Sequence, residues 1–253
     1  MKIQDTLINL CPKRFRLPFN YQYKKFRQRL EKEVLYLDKL LTDYKRAIDI
    51  GANEGIYSYA LSQLCEVVEA FEPQTWCTQS IVDYSEAHTR NINVYNVGLS
   101  NFNGSLILHI PIYSSSLISG LGSFREMEGV NQCVEVPVRK LDDYEFTDVS
   151  FIKIDVEGYE SKVIEGSRNT LLKEKPIILI EIEQRHLGDQ PIDTIFDKIL
   201  ELGYEGSFLY KNSRIPLSNF CYKKHQEKFL DNVYSEDYVR NFIFQPVREA
   251  QSH

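Results

Sequence analysis

Between Ala47 and Leu99 short apolar runs alternate with longer amphipathic ones, and few folds accept that order. Ala47–Ile50, Val67–Phe71 and Val94–Leu99 read as strands. Ile56–Leu64, with Ile56, Ala60 and Leu64 on one face, and Thr75 to His88 read as the helices between them. Repeated strand–helix–strand units predict a parallel sheet with helices on both faces. The pattern resumes at Phe151–Ile154, a strand that runs into Asp155, followed by a helix from Ser161 to Leu172. Pro176 then opens a strand over Ile177–Ile182, and Ile192, Ile195, Ile199 and Leu202 mark a helix that Gly203 ends. Phe208–Tyr210 and Asn241–Phe244 are expected strands of the tail.

Residues 101–139 interrupt this order. Leu106, Leu108 and Ile110 alternate with their neighbours, as do Val134, Val136 and Val138, which predicts an antiparallel insertion. Asn103-Gly104 predicts a type I′ hairpin turn at its start, and a Ser- and Gly-rich loop spans Ser114–Ser123. Ahead of the α/β region, residues 1–44 form a separate basic segment. In it Phe26, Leu30, Val34, Leu37, Leu41 and Tyr44 recur at steps of three or four, the stripe of one helix packed on the body. Its lysines and arginines fit a solvated face, or a patch for an anionic glycan, phosphate or lipid headgroup. Residues 45–253 then make one α/β domain.

The 253 residues, 43% of them hydrophobic, suffice for one large core. A net charge of -6 gives no electrostatic case for whole-molecule binding of nucleic acid. Cys11, Cys65, Cys77, Cys133 and Cys221 are scattered and form no CxxC pair, so free thiols are expected rather than a zinc site or a disulfide frame. No apolar run approaches the roughly 20 residues that span a bilayer. Met1–Leu10 is too short and polar for a signal peptide, which makes the cytoplasm the expected location.

The chemistry sits at strand ends. Asp49-Ile-Gly-Ala-Asn-Glu-Gly55 occupies a strand-to-helix turn, where open α/β sheets bind ligands. Gly51 would let the backbone approach a ligand closely and Gly55 would let the helix pack near the strand, although a tight turn alone would also account for both. The spacing is GxxxG, not the GxGxxG that cradles a dinucleotide pyrophosphate, and the acids Asp49 and Glu54 suit a cationic amino-acid group better. Glu72, ending the second strand about 20 residues on, is placed to hydrogen-bond a ribose. Together they imply a nucleoside-containing ligand. Lys153-Ile-Asp155-Val-Glu157-Gly158 and the group Glu181, Glu183 and His186 end further strands at the same edge. A histidine among strand-end acids is a candidate general base, since its pKa lies near working pH. Glu181 and His186 as caps of the following loop is the competing reading. No tight ligand spacing argues for a metal.

Asp49-Ile-Gly-Ala-Asn-Glu-Gly55, Phe71-Glu-Pro73, Asn96-Val-Gly-Leu-Ser100, Phe151-Ile-Lys-Ile-Asp-Val-Glu-Gly-Tyr-Glu160 and Pro176–His186 occur in that order. The set resembles FkbM-type methyltransferases from about Tyr44 to about Tyr210. The resemblance implies a Rossmann-like class I methyltransferase sheet, S-adenosylmethionine as methyl donor, and a hydroxyl acceptor, often on a sugar. It implies that Asp49, Gly51, Asn53 and Gly55 cradle the methionine end, that Glu72 holds the ribose, and that Gly98 and Leu99 lie near the adenine. Ala52, Tyr57 and Pro73 are the further expected cofactor contacts. Asp155 and Glu157 face the transfer site, with Glu181 and His186 as further catalytic candidates and Asp155 also a cofactor contact. The insertion is expected on the acceptor side. The partner is then a small-molecule or glycan acceptor. A nicotinamide-dependent oxidoreductase and a non-catalytic S-adenosylmethionine-binding module are the competing functions.

Overall fold

The computed structural model describes residues 8, 11–88, 91–113, 116–117, 122–125, 131–211 and 213–247. Five parallel strands form its centre: β1 (Arg46–Ile50), β2 (Val67–Phe71), β3 (Ile92–Tyr95), β8 (Val149–Ile154) and β9 (Ile177–Glu181). Three more strands, β10 (Tyr204–Tyr210), β11 (Ser213–Pro216) and β12 (Asn241–Pro246), extend the β9 edge antiparallel. The eight-stranded order is β11-β10-β12-β9-β8-β1-β2-β3. The sheet is α/β, as the alternating pattern predicts.

The central strands are apolar on both faces because both faces are covered. Ile48, Ile50, Ile152, Ile154, Ile178, Ile180, Phe242 and Phe244 point into one core. Ala47, Phe151, Ile177, Leu179 and Ile243, one step out of phase, point into the other. This alternation also sorts the polar residues. Asp49, Lys153 and Asn241 share the parity of the second core, and Glu181 shares it at the end of β9. That face is closed by the N-terminal segment, whose Leu17, Val34, Leu37, Leu40 and Leu41 are buried there.

The N-terminal segment differs from the single stripe expected of it. A helix covers Lys13–Phe26 and stops; Gln28 has a φ of 54°, and the chain continues through a 3-10 turn at Val34–Tyr36 and a short helix at Leu37–Leu40. The left-handed turn breaks the helical phase. Val34, Leu37 and Leu41 are therefore buried, while Phe26 at the helix end is 85% exposed and Tyr44 46%. The packed helix is the earlier one, held against the Ile56–Ser62 and Thr75–His88 helices.

The insertion is a second sheet, ordered β4-β7-β5-β6, from β4 (Gly98–Leu99), β5 (Gly104–Tyr113), β6 (Ser116–Leu117) and β7 (Asn131–Arg139). The expected hairpin at Asn103-Gly104 is absent. β4 and β5 both pair with β7 and not with each other, and neither residue of the dipeptide has a positive φ. Asn103 instead works as a side-chain bracket: its Oδ1 accepts from the Lys140 N–H at 2.9 Å. The strand expected at Val94–Leu99 divides accordingly, Ile92–Tyr95 staying in the large sheet and Gly98–Leu99 joining the small one. Most of the Ser/Gly loop lies outside the described residues.

Candidate active site

Two cavities open along the C-terminal edge of the parallel strands. The first, with about 570 Å³ of open space, is lined by Ile50, Gly51, Asn53, Phe71, Glu72, Pro73, Gln74, Val97, Gly98, Leu99, Leu108, Gly122, Phe124, Asp155, Val156 and Glu157. The second, about 640 Å³, is lined by Asp49, Gly51, Ala52, Asn53, Glu54, Ile56, Tyr57, Lys153 and Asp155, and by Lys24, Arg29, Leu30, Glu31 and Val34 of the N-terminal segment. Gly51, Asn53 and Asp155 line both, so the two are lobes of one bent cleft. The first lobe offers apolar and aromatic walls with three acids, Glu72, Asp155 and Glu157. The second is dominated by charge.

The glycines have separate reasons. Gly51 has a φ of 79°, and a Cβ there would sit 1.8 Å from the Asp155 carbonyl oxygen; the close approach it permits is between β1 and the end of β8. Gly55, expected at the cofactor, lines neither lobe. A Cβ on it would meet Ile81 at 2.4 Å, so it serves helix packing. Gly98 makes room for the Phe124 ring, 2.6 Å from a built Cβ. Gly158, with a φ of 94°, lets its loop lie against the His186 carbonyl, 2.5 Å from a built Cβ. The sequence reading gave Gly158 no role, although glycine after three chemistry-bearing positions was its signal.

Glu72 is nearly fully buried, and its carboxylate is held by its own surroundings. Oε2 accepts from the Asn53 N–H at 2.9 Å; Oε1 accepts from the Gln74 N–H at 2.9 Å and from Gln74 Nε2 at 3.1 Å. Burial still pushes its pKa above the ordinary carboxylate value, against those donors. Asp49 accepts from Ser58 Oγ at 2.6 Å, and burial carries its pKa up to about 6. Beside it Asn53, in left-handed backbone with a φ of 47°, has a buried Oδ1 with no hydrogen-bond partner among the described residues. An acceptor left without a donor at the junction of both lobes fits a ligand that carries hydroxyl or ammonium donors.

The expected catalytic residues do converge. His186 Nδ1 lies 2.7 Å from Glu157 Oε2. Ligating atoms of Asp155, Glu157 and Glu181 lie within 4.8 Å of one another, as do those of Glu157, Glu183 and His186. Burial, with the Glu157 charge adding to it, brings Asp155 up to about 7, while Lys153 opposes the shift. Burial and the neighbouring Asp155 push Glu181 well above its ordinary value. His186 is raised: burial pulls it down, but its hydrogen bond and charge pairing with Glu157 outweigh that.

Either triad has the donor types for a divalent cation. Glu183, however, is already committed, receiving Arg185 Nε at 2.7 Å and Nη2 at 2.9 Å and the Tyr238 hydroxyl. Glu157 is engaged by His186. Asp155 and Glu181 are the less saturated acids, with Lys153 Nζ at 3.7 Å from the first and Arg240 Nε at 3.5 Å from the second.

A buried polar cluster behind Asp155 was not anticipated. Lys153 Nζ donates to Asn241 Oδ1 at 3.3 Å and to the Ile154 carbonyl at 3.2 Å. Glu31 of the N-terminal segment accepts from Tyr57 OH at 2.6 Å, Arg240 Nη2 at 3.0 Å and Asn241 Nδ2 at 3.2 Å. A lysine inside an otherwise apolar strand run was the visible signal for this cluster. The positions of Glu31 and Arg240, far apart in sequence, gave none.

The insertion also touches both sides of the cleft. Leu108, Gly122 and Phe124 line the first lobe beside Glu72, so it borders the lobe expected for the cofactor as well. Ser123 Oγ donates to the Glu157 carbonyl at 2.6 Å and Arg125 Nη1 to the His186 carbonyl at 2.9 Å, which ties the loops of the dyad together.

Among solved structures, the chain is similar to the methyltransferase FkbM from Methylobacillus flagellatus KT, with a TM-score of 0.50 and 16% identity over 95% of this chain and 57% of that one. It thus spans little more than half of that protein's length. It is also similar to a precorrin-6y C5,15-methyltransferase from Geobacter metallireducens GS-15, with a TM-score of 0.46 and 16% identity over 84% of this chain and 85% of that one. A putative methyltransferase from Streptococcus mutans in complex with SAH gives a TM-score of 0.42 and 11% identity over 85% of this chain and 96% of that one. No curated protein sequence matches the chain. The model of the methyltransferase FkbM domain matches residues 49–205, which include the glycine turn, Glu72, Asp155, Glu157, Glu181 and His186. The chain therefore belongs to the FkbM methyltransferase family, whose cofactor is S-adenosylmethionine.

Proposed function

We propose that this chain transfers a methyl group from S-adenosylmethionine to a hydroxyl oxygen, on a sugar of a glycan or glycosylated metabolite. The observation that carries the reading is Glu157, which lines the first lobe with Asp155 and is paired at 2.7 Å with His186. A sugar hydroxyl is weakly acidic, so transfer to it calls for a positioned base.

The first lobe takes the nucleoside. Phe71, Val97, Leu99 and Phe124 offer apolar surface to the adenine, with Gly98 and Pro73 beside them, and Glu72 receives the ribose hydroxyls. The second lobe takes the amino-acid end, with Asp49, Ala52, Asn53 and Tyr57 along its wall and acids and bases present for both of its charges. When bound, S-adenosylmethionine supplies an electrophilic methyl on a sulfonium and would give up that methyl to the acceptor oxygen, the carbon–sulfur electrons leaving on sulfur. The chain's own work is to hold the acceptor oxygen in line with that methyl and to take its proton. The hydroxyl proton passes to His186 or Asp155. Glu157 fixes the imidazole by its hydrogen bond, and Glu181 orients Asp155 or the acceptor.

The test is transfer of an isotopically labelled methyl group to a panel of glycosylated acceptors, with the product bond located by NMR. An O-methyl ether supports the proposal. A label found only on nitrogen or carbon overturns it, and tight cofactor binding without turnover on any acceptor favours a non-catalytic binding module.

A further inference from the structure

Seven of the chain's 30 basic residues, and none of its 36 acidic ones, lie between Lys13 and Arg29. Four of them, Lys24, Lys25, Arg27 and Arg29, flank Phe26 in the chain at the end of the Lys13–Phe26 helix. A helix C-terminus favours cations, which accounts for lysines in the last turn. It does not account for Phe26, which is 85% exposed although its helix is packed on the body. Backbone hydrogen bonds shape this tip: Arg29 N–H donates to the Lys24 carbonyl at 2.8 Å, and Gln28 turns the chain with a φ of 54°. Lys24 pairs with Glu54 at 3.7 Å. Lys25, Arg27 and Arg29 have no ion-pair partner among the described residues.

We propose that this tip docks on an anionic lipid bilayer. One projecting aromatic ring within a group of cations suits an interface in which the ring enters below the headgroups and the cations remain at the level of the phosphates. A nucleic-acid strand would call for a groove that tracks its backbone and a series of stacking rings; among the described residues of the tip, Phe26 at the helix end is the one strongly exposed ring. The contrast in charge points the same way, since the chain as a whole carries -6 while the stretch Lys13–Arg29 holds seven basic residues and no acid. Lys24 and Arg29 also line the second lobe, so docking brings the mouth of the cleft to the membrane. The proposal does not depend on the nature of the methylated atom.

The experiment is co-sedimentation of the full chain with vesicles of phosphatidylcholine and phosphatidylglycerol in equal parts, and with vesicles of phosphatidylcholine alone. The variants are Phe26→Ser and the double variant Lys25→Glu with Arg27→Glu, none of them in the binding or catalytic machinery. S-adenosylmethionine affinity, unchanged in each, verifies folding. Wild type is expected to bind the anionic vesicles and not the neutral ones, and to be released by salt. Phe26→Ser should weaken partitioning roughly tenfold, and the double charge reversal by more than about twentyfold, since each cation contributes about fivefold. Failure of wild type to bind anionic vesicles, or equal binding by the variants, overturns the proposal. So does release of vesicle-bound protein by inorganic phosphate, which would mark a phosphate site. Retention of the tip-dependent binding on an oligonucleotide without vesicle binding would mark a nucleic-acid surface and overturn it equally.

Discussion

Glu72 and Asp155 are both acids at strand ends on one sheet edge, yet they stand in opposite conditions. Glu72 receives three hydrogen bonds from its own loops before any ligand arrives. Among the described residues, the Asp155 carboxylate has only a lysine 3.7 Å away as a cationic partner, and it shares its space with Glu157 and Glu181. A carboxylate whose geometry is fixed in advance is suited to binding, because little order remains to be imposed when the ligand enters. A carboxylate short of donors, with a pKa near 7, is suited to exchanging a proton. Under the proposed function, the difference separates a holding end of the cleft from a reacting end.

The largest effect that can break this comparison lies at the reacting end. Asp155→Asn and His186→Ala should each lower turnover by roughly 10²–10⁴, the usual share of general-base catalysis, with calorimetric S-adenosylmethionine affinity far less changed. Full activity in both variants would remove these residues from the mechanism. At the holding end, Glu72→Ala should do the reverse. Loss of a charged hydrogen-bond acceptor costs about 1.5–3 kcal/mol, or roughly ten- to hundredfold in Kd, while turnover at saturating cofactor survives. Unchanged affinity in a folded variant would sink the ribose assignment.

A third measurement concerns the junction between the two ends. Gly51→Ala places a Cβ against the Asp155 carbonyl in left-handed backbone, so it should destabilise the fold by at least about 2 kcal/mol. Denaturant unfolding would detect it; a variant as stable as wild type, with only cofactor binding lost, would restore the ligand-approach reason for this glycine.

The pH dependence is a smaller effect with a definite sign. His186 and Asp155 both have raised pKa values, the latter about 7, and each accepts a proton only when deprotonated. Turnover at saturating substrates should therefore rise with pH through the neutral range and level off above it. A rate already flat below pH 6 would exclude both as the proton acceptor. Smallest of all is the response to a chelator. With Glu183 held by Arg185 and Tyr238, and Glu157 by His186, a cation would have to displace existing partners. Turnover is expected to withstand chelation, and its loss would promote the Asp155–Glu157–Glu181 triad to a metal centre.

The sequence by itself determined the parallel sheet, the edge to which the candidate site residues are brought and the cofactor class. The physical reason is locality. Apolar runs with period two, amphipathic stretches with period 3.6 and strand-end motifs are written in consecutive residues. Asp49, Glu72, Asp155, Glu181 and His186 are brought to one edge by parallel topology alone, whatever the details of packing. What only the tertiary structure decided involves partners distant in the chain. The parity of β8 puts Lys153 on the covered face, but Glu31 and Arg240 reach it from segments about 120 and 90 residues away by loop paths that carry no periodic signal. The family resemblance puts Gly55 at the ligand, and the turn itself predicts helix packing, but the residue it packs against, Ile81, belongs to another helix that the local motif does not name. Phe26 reads as core in a stripe that assumes one continuous helix, and a single left-handed residue, Gln28, ends that helix and leaves the ring in solvent. Asn103-Gly104 fits a hairpin turn by composition, but β7, entering from residues 131–139, separates the two strands it would have joined. In each case the local preference was real, and a contact with a remote segment outweighed it.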